Sequence, residues 1–171
     1  SSPIYLTVVG NTLFFKAYDG TNGNELWKSD GTSSGTEMVK DIWSGFGSSY
    51  PQYLTAVGNT LFFSTDDGLH GIELWMSDGT SAGTSLVFDF TPGDPDSDTV
   101  YRGMFEFDQS LYFAASYSPM GVGLYRTDGT LSGTELVSDE FGLSFWEDWM
   151  GGYDSYFIVE VISNTIYING C

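Results

Sequence analysis

Glu25-Leu26-Trp27-Lys28-Ser29-Asp30-Gly31-Thr32-Ser33-Ser34-Gly35-Thr36-Glu37-Met38-Val39-Lys40-Asp41-Ile42 decides the fold, because it is written three times. It returns as IELWMSDGTSAGTSLVFDF around Trp75 and, more loosely, as GLYRTDGTLSGTELVSDE around Tyr125. The Asp-Gly pairs at 30-31, 78-79 and 128-129 stand 48 and 50 residues apart. Periods of roughly 40 to 50 residues mark one four-stranded unit per repeat. Each copy has a direct physical reading. Leu26-Trp27 ends a strand, since branched and aromatic side chains suit a pleated, half-buried surface. Ser-Asp-Gly-Thr turns the chain, because Asp bonds to nearby backbone and Gly accepts positive φ. Gly35 and Thr36 then lead into the next strand, Glu37 to Lys40.

The first two copies agree closely: Glu25, Leu26, Trp27, Ser29, Asp30, Gly31, Thr32, Gly35, Thr36, Val39 and Asp41 recur as Glu73, Leu74, Trp75, Ser77, Asp78, Gly79, Thr80, Gly83, Thr84, Val87 and Asp89. The third departs, with Tyr125 for the Trp and Thr127 for the Ser. This pattern resembles the ELWxSDGTxxGTxLVxDI repeat of large secreted or surface bacterial proteins that are thought to fold as β-propellers. The resemblance covers most of the chain. It implies an all-β, β-propeller-like array and an extracellular or cell-surface location. It implies an architecture, not a chemistry.

In chain order, Ile4 to Val9 and Thr12 to Ala17 read as strands joined at Gly10-Asn11. The run Leu13-Phe14-Phe15 is continuously apolar, as in an inner strand. A turn-rich loop, Tyr18 to Asn24, precedes the Trp27 strand and the Met38-Val39 strand. After the connection Trp43 to Tyr50, the first pair recurs as Leu54 to Val57 and Thr60 to Ser64, and then as Met104 to Phe107 and Ser110 to Ala114. Tyr117 to Gly123 reads as the third loop, with Gly121 or Gly123 in the place of Gly71. Phe157 to Ile162 and Thr165 to Ile168 repeat the first two strands once more. The expected organisation is a single domain over 1–171, with repeats 1–48, 49–98 and 99–153 and a two-stranded half repeat 154–171.

Composition narrows the function classes. With 41% hydrophobic and 17% aromatic residues the chain is not of the disordered type. A net charge of −18, with only five basic residues, opposes nucleic acid as a partner, since phosphate binding draws on Lys and Arg. No apolar run reaches the roughly 18 residues of a membrane span. Cys171 is the only cysteine, so no disulfide forms within the chain. It either pairs with another chain or stays unpaired. Ser1 falls at a repeat boundary, which reads as a trimmed mature chain.

The residue inventory argues against an enzyme. One His and one Cys leave little for a nucleophile and its base. His70, in a loop, reads as a loop residue. Ser29-Asp30-Gly31 only superficially matches the Asp box of sialidases, whose three-arginine clamp Arg102 and Arg126 do not fill. Calcium is the expected metal. Asp94, Asp96 and Asp98 alternate as D-P-D-S-D and offer hard oxygens to one ion, though not in EF-hand spacing. Asp19 and Asp67 are secondary candidates, and an acidic solvated loop is the bland alternative. For carbohydrate, Trp43, Trp146 and Trp149 lie in connections where a ring can stack on a sugar, against the alternative of burial between repeats. Trp27 and Trp75, on strands, read as core. Thr32-Ser33-Ser34 and Gly47-Ser48-Ser49 offer hydroxyls for O-linked sugars.

The half repeat leads to the functional expectation. Three and a half units close as a reduced four-bladed ring, belong to a longer ring, or leave an edge that another copy completes. The strand Thr165-Ile166-Tyr167-Ile168 carries no charge and no proline, the usual edge blockers. Phe157, Ile158, Val159, Thr165, Ile166, Tyr167, Ile168 and Cys171 are therefore the expected self-association residues. The chain reads as a non-enzymatic extracellular structural subunit that self-associates, head to tail, into a fibre. The alternative is a lectin-like or calcium-dependent module for adhesion to surface glycans.

Overall fold

The computed structural model describes residues 2–93, 103–117, 121–138, 157–162 and 165–170. Among these the chain is all β. Three antiparallel four-stranded sheets follow one another along the sequence. The first holds β1 (Ile4–Val9), β2 (Thr12–Tyr18), β3 (Asn24–Ser29) and β4 (Glu37–Lys40), in that spatial order. The second holds β5 (Gln52–Val57), β6 (Thr60–Asp66), β7 (Ile72–Ser77) and β8 (Ser85–Phe88). The third holds β9 (Phe105–Phe107), β10 (Ser110–Tyr117), β11 (Gly121–Thr127) and β12 (Glu135–Ser138). A two-stranded sheet follows, β13 (Phe157–Ile162) with β14 (Thr165–Gly170). No described helix is long and apolar enough to cross a membrane.

The expected strand pairs are all present, with shifted ends. β10 continues to Tyr117, which pairs with Gly121. Of the expected loop Tyr117 to Gly123, the described residues 117 and 121–123 are strand, and Gly121 holds the position of Gly71. β9 is cut to three residues and starts at Phe105 rather than Met104. β14 runs two residues past Ile168.

Alternation along β6 explains the continuous apolar run. Leu61 and Phe63 belong to a buried cluster with Val9, Phe14, Leu26, Val39 and Ile42 of the first unit. Phe62, between them, belongs to the other cluster, with Leu111, Phe113, Ala115 and Tyr125 of the third. Successive side chains of a strand point to opposite faces. The middle sheet is thus buried on both faces, which accounts for the unbroken apolar run Leu61-Phe62-Phe63 at the centre of its inner strand. Phe90 centres the second cluster, with edge-on contacts to Phe88, Phe113 and Tyr125 at centroid distances of 4.6, 5.9 and 5.2 Å.

The packing is head to tail. Phe14 faces the second sheet, and its counterpart Phe62 faces the third. The receiving feature is the glycine of the next Asp-Gly turn. A Cβ on Gly79 would stand 3.2 Å from the Phe14 ring, and one on Gly129 would stand 3.3 Å from the Phe62 ring. At Gly31 nothing among the described residues lies within 4 Å. Trp75, covered by the first sheet, is 6% exposed. Trp27, expected as core, is partly exposed, because no described sheet covers the corresponding face.

Candidate functional site

Two ends of the sheets differ in construction. At one end stand the Asp-Gly turns, which are closed by their own side chains. Asp30 Oδ1 accepts from the Thr32 amide at 2.9 Å and from its hydroxyl at 2.7 Å. The Thr32 hydroxyl accepts from the Gly35 amide at 3.0 Å, and Thr36 donates back to the Thr32 carbonyl at 2.7 Å. Ser29 and Thr36 share a hydroxyl contact of 2.7 Å. The same bonds recur at Asp78–Thr80 and Asp128–Thr130. Thr127 in place of Ser keeps its contact, 2.7 Å to Thr134, so the departure of the third copy is chemically neutral. A Cβ on Gly35, Gly83 or Gly133 would collide with the Asp carboxylate. Thr32 first through its hydroxyl and then through its amide holds the Asp30 carboxyl below its ordinary range, and Thr80 and Thr130 do the same to Asp78 and Asp128.

The opposite end gathers the β2–β3 loop, the β6–β7 loop and the connection 41–51 between them. Glu25, fully buried, organises it. Its carboxylate accepts from the Ile42 amide at 3.0 Å, the Ser49 amide at 3.0 Å and the Ser49 hydroxyl at 2.6 Å. Burial pushes the Glu25 carboxyl up, against the pull of these three donors. Ser49 in turn accepts at its carbonyl from the Thr65 hydroxyl and the Asp66 amide. The connection is stitched to both sheets, and Ser49, offered by the sequence for O-linked sugar, is 1% exposed. Sequence reading missed Glu25. Its signal was the first letter of the repeated E-L-W, an acid where a strand should be apolar.

The same end carries the exposed aromatic surface. Trp43 is 37% exposed. Its ring lies so close over Gly47 and Gly68 that a Cβ on either would fall within 2.1 and 2.7 Å of it. Phe46 is 91% exposed and Leu69 70%. Trp43 is thus a braced ring with a free side, neither wholly core nor a mobile stacking group.

His70 pairs through Nδ1 with Asp67 Oδ2 at 2.8 Å. That hydrogen bond raises the imidazole above its ordinary value, against burial. Asp67 is pushed up by burial, yet the ring and the amides of Leu69 and His70 outweigh this and hold it low. The pair closes a loop. Asp19 is likewise occupied, by the amides of Thr21 and Asn22 and the side chain of Asn22. Among the described residues no group of three metal-ligating side chains converges. Asp94, Asp96, Asp98, Trp146, Trp149 and Cys171 lie outside the described residues. Of the self-association residues, Phe157, Ile158 and Val159 are on β13 and Thr165, Ile166, Tyr167 and Ile168 on β14, paired through Val159–Ile168 and Val161–Ile166.

Comparison with models of protein families and with curated proteins finds no match to this chain.

Proposed function

We propose that the chain is a non-enzymatic, extracellular structural subunit built from propeller-type blades, and that it assembles head to tail with further copies of itself. The observation that supports this is the asymmetric joint between sheets. A ring on one face, Phe14 or Phe62, enters the turn glycine of the following unit, Gly79 or Gly129. The Gly31 turn offers the same receptor with nothing described in it. Heterologous contacts of this kind make a ring when they close and a filament when they do not. β14 adds a second joint. Its counterparts β2, β6 and β10 each pair with a third strand, and among the described residues β14 pairs with β13 alone.

Solution mass across a concentration series, with electron microscopy of the same material, tests the reading. Growth in mass and filaments of one-blade periodicity support it. A strictly monomeric particle at every concentration rejects it.

A second reading rests on Trp43. Its braced, part-exposed ring, in the same connection as the exposed Phe46, suits stacking on a sugar face. Glycan binding that is lost on Trp43→Ala supports adhesion to surface glycans; an array without hits, or binding unchanged by the substitution, rejects it.

A further inference from the structure

Lys16 breaks the repeat. The positions that match it on β6 and β10 are Ser64 and Ala114. Blade construction therefore does not call for a cation there. The chain has three lysines, all in the first repeat. Lys28 donates to the Gly79 carbonyl and Lys40 to the Thr84 carbonyl, each at 2.7 Å, and so tie the second sheet to the first. Lys16 makes no such bond among the described residues. Its ammonium stands over two rings instead, 4.8 Å from the centre of Tyr5 and 5.5 Å from that of Tyr50.

The surroundings are unusual in three ways. Lys16 is only 9% exposed, yet no described carboxylate pairs with it, in a chain of net charge −18. Buried charges are ordinarily paired, since taking an ion out of water is costly. Both tyrosines are about half exposed, Tyr5 at 45% and Tyr50 at 52%. Both residues also take φ in the left-handed region, 58° and 50°, which strains an aromatic residue. Tyr53, the counterpart of Tyr5, takes φ 53° at the same break in register, so the bend belongs to the blade. Tyr50 has no such excuse. It sits in the connection locked by Glu25, its amide bonded to the Asn24 carbonyl at 3.1 Å, and that lock presents its ring to Lys16.

We propose that Lys16, Tyr5 and Tyr50 form a binding site for a single carboxylated sugar residue, with the ammonium as counter-charge to the carboxylate and the two rings as apolar walls for the pyranose. A cation held by ring faces keeps its three donors available to an incoming acceptor. Flat, half-exposed rings favour a sugar over a flexible acidic side chain. The net charge selects a lone carboxylated unit over a polyanion, because each added charge meets the field of the whole chain. The site uses none of the residues of the Trp43 reading and stands without it.

The test is a protein-observed NMR titration with sodium glucuronate, alongside glucose and sodium acetate. The expected result is saturable shifts at Lys16, Tyr5 and Tyr50 with glucuronate, and binding at least about tenfold weaker for each control. Lys16→Met removes the charge at nearly constant length and is expected to weaken glucuronate binding at least about tenfold. Tyr50→Leu, at a half-exposed position, is the second variant and is expected to weaken it several-fold. Glucose binding as well as glucuronate overturns the proposal. So does acetate binding as well, which means a plain anion contact, and so does glucuronate binding unaffected in a folded Lys16→Met or Tyr50→Leu protein.

Discussion

The buried Glu25 carboxylate takes both donors of Ser49, the amide at 3.0 Å and the hydroxyl at 2.6 Å, across the connection between the first two sheets. One acid thereby fixes where the second sheet starts. Removing it leaves the Ile42 and Ser49 amides without their acceptor, while the Ser49 hydroxyl still reaches the Asn24 carbonyl at 3.3 Å. Glu25→Ala is expected to cost about 2 to 5 kcal/mol, the scale of leaving two buried amides unsatisfied. Ser49→Ala removes one donor and is expected to cost about 1 to 2 kcal/mol. Urea unfolding measures both, and a Glu25→Ala protein as stable as the parent refutes the lock.

Stability is expected to fall on both sides of a mildly acidic optimum. The Asp30, Asp78 and Asp128 carboxyls are held below the ordinary 3.8. A lowered acid stabilises the fold above its unfolded value, and the contribution is lost as pH falls through the folded one. Glu25 is raised above 4.5. There the folded state binds the proton more tightly, so its contribution is full below 4.5 and declines as pH climbs through the raised folded value. Chemical denaturation across pH checks this. Glu25→Gln flattens the decline on the higher-pH side, and Asp→Asn at the turns flattens the acid side.

The turn glycines separate backbone strain from contact between sheets. Gly31 and Gly129 have φ of 91° and 93°, so Ala strains both backbones alike. That common cost is about 1 kcal/mol. A Cβ on Gly129 would in addition stand 3.0 Å from Met76 Sδ and 3.3 Å from the Phe62 ring. Gly129→Ala is therefore expected to cost about 1 kcal/mol or more beyond Gly31→Ala. Thermal unfolding of the unassembled protein reads the difference. Equal costs would mean that the Gly31 receptor is already filled within one chain.

The hydroxyl at the start of the turn matters, and its methyl does not. Thr127 bonds the Gly129 amide at 3.0 Å and the Thr134 hydroxyl at 2.7 Å. Thr127→Ser is expected to stay within about 0.5 kcal/mol of the parent. Thr127→Val, which leaves the Gly129 amide without its acceptor while Thr134 keeps its bond to the Thr130 carbonyl, is expected to cost about 1 to 3 kcal/mol. Equal stability of the Val and Ser variants contradicts the turn chemistry.

Most of the sheet order was legible in the sequence, and the reason is local. The strand–turn–strand signal of Trp27, Asp30-Gly31 and Val39 depends on neighbours in the chain, and every part of it lies within one hairpin. Strand ends were less legible. Tyr117 and Gly121 join the ladder only because each finds the other across it. The aromatic surface was half legible. Trp43 stood out as a ring in a connection, but its brace comes from Gly68, in a different loop. Glu25 and Lys16 were not legible as site residues. An acid or a lysine on a strand does not say which distant residues will be placed against it: Ile42 and Ser49 of the connection for Glu25, Tyr5 and Tyr50 for Lys16.

By itself the sequence determined the repeat, the turn chemistry and the all-β class, because hydrogen bonds between residues two to seven apart close each Asp-Gly turn. Only the tertiary structure decided which face of each sheet meets which. It buried Trp75 and left Trp27 partly exposed, although the two occupy the same place in the repeat. It also spent Glu25 on a connection and set Lys16 between two tyrosines. Identical motifs acquire different surroundings because burial depends on the neighbouring sheet, and no residue encodes its neighbour alone.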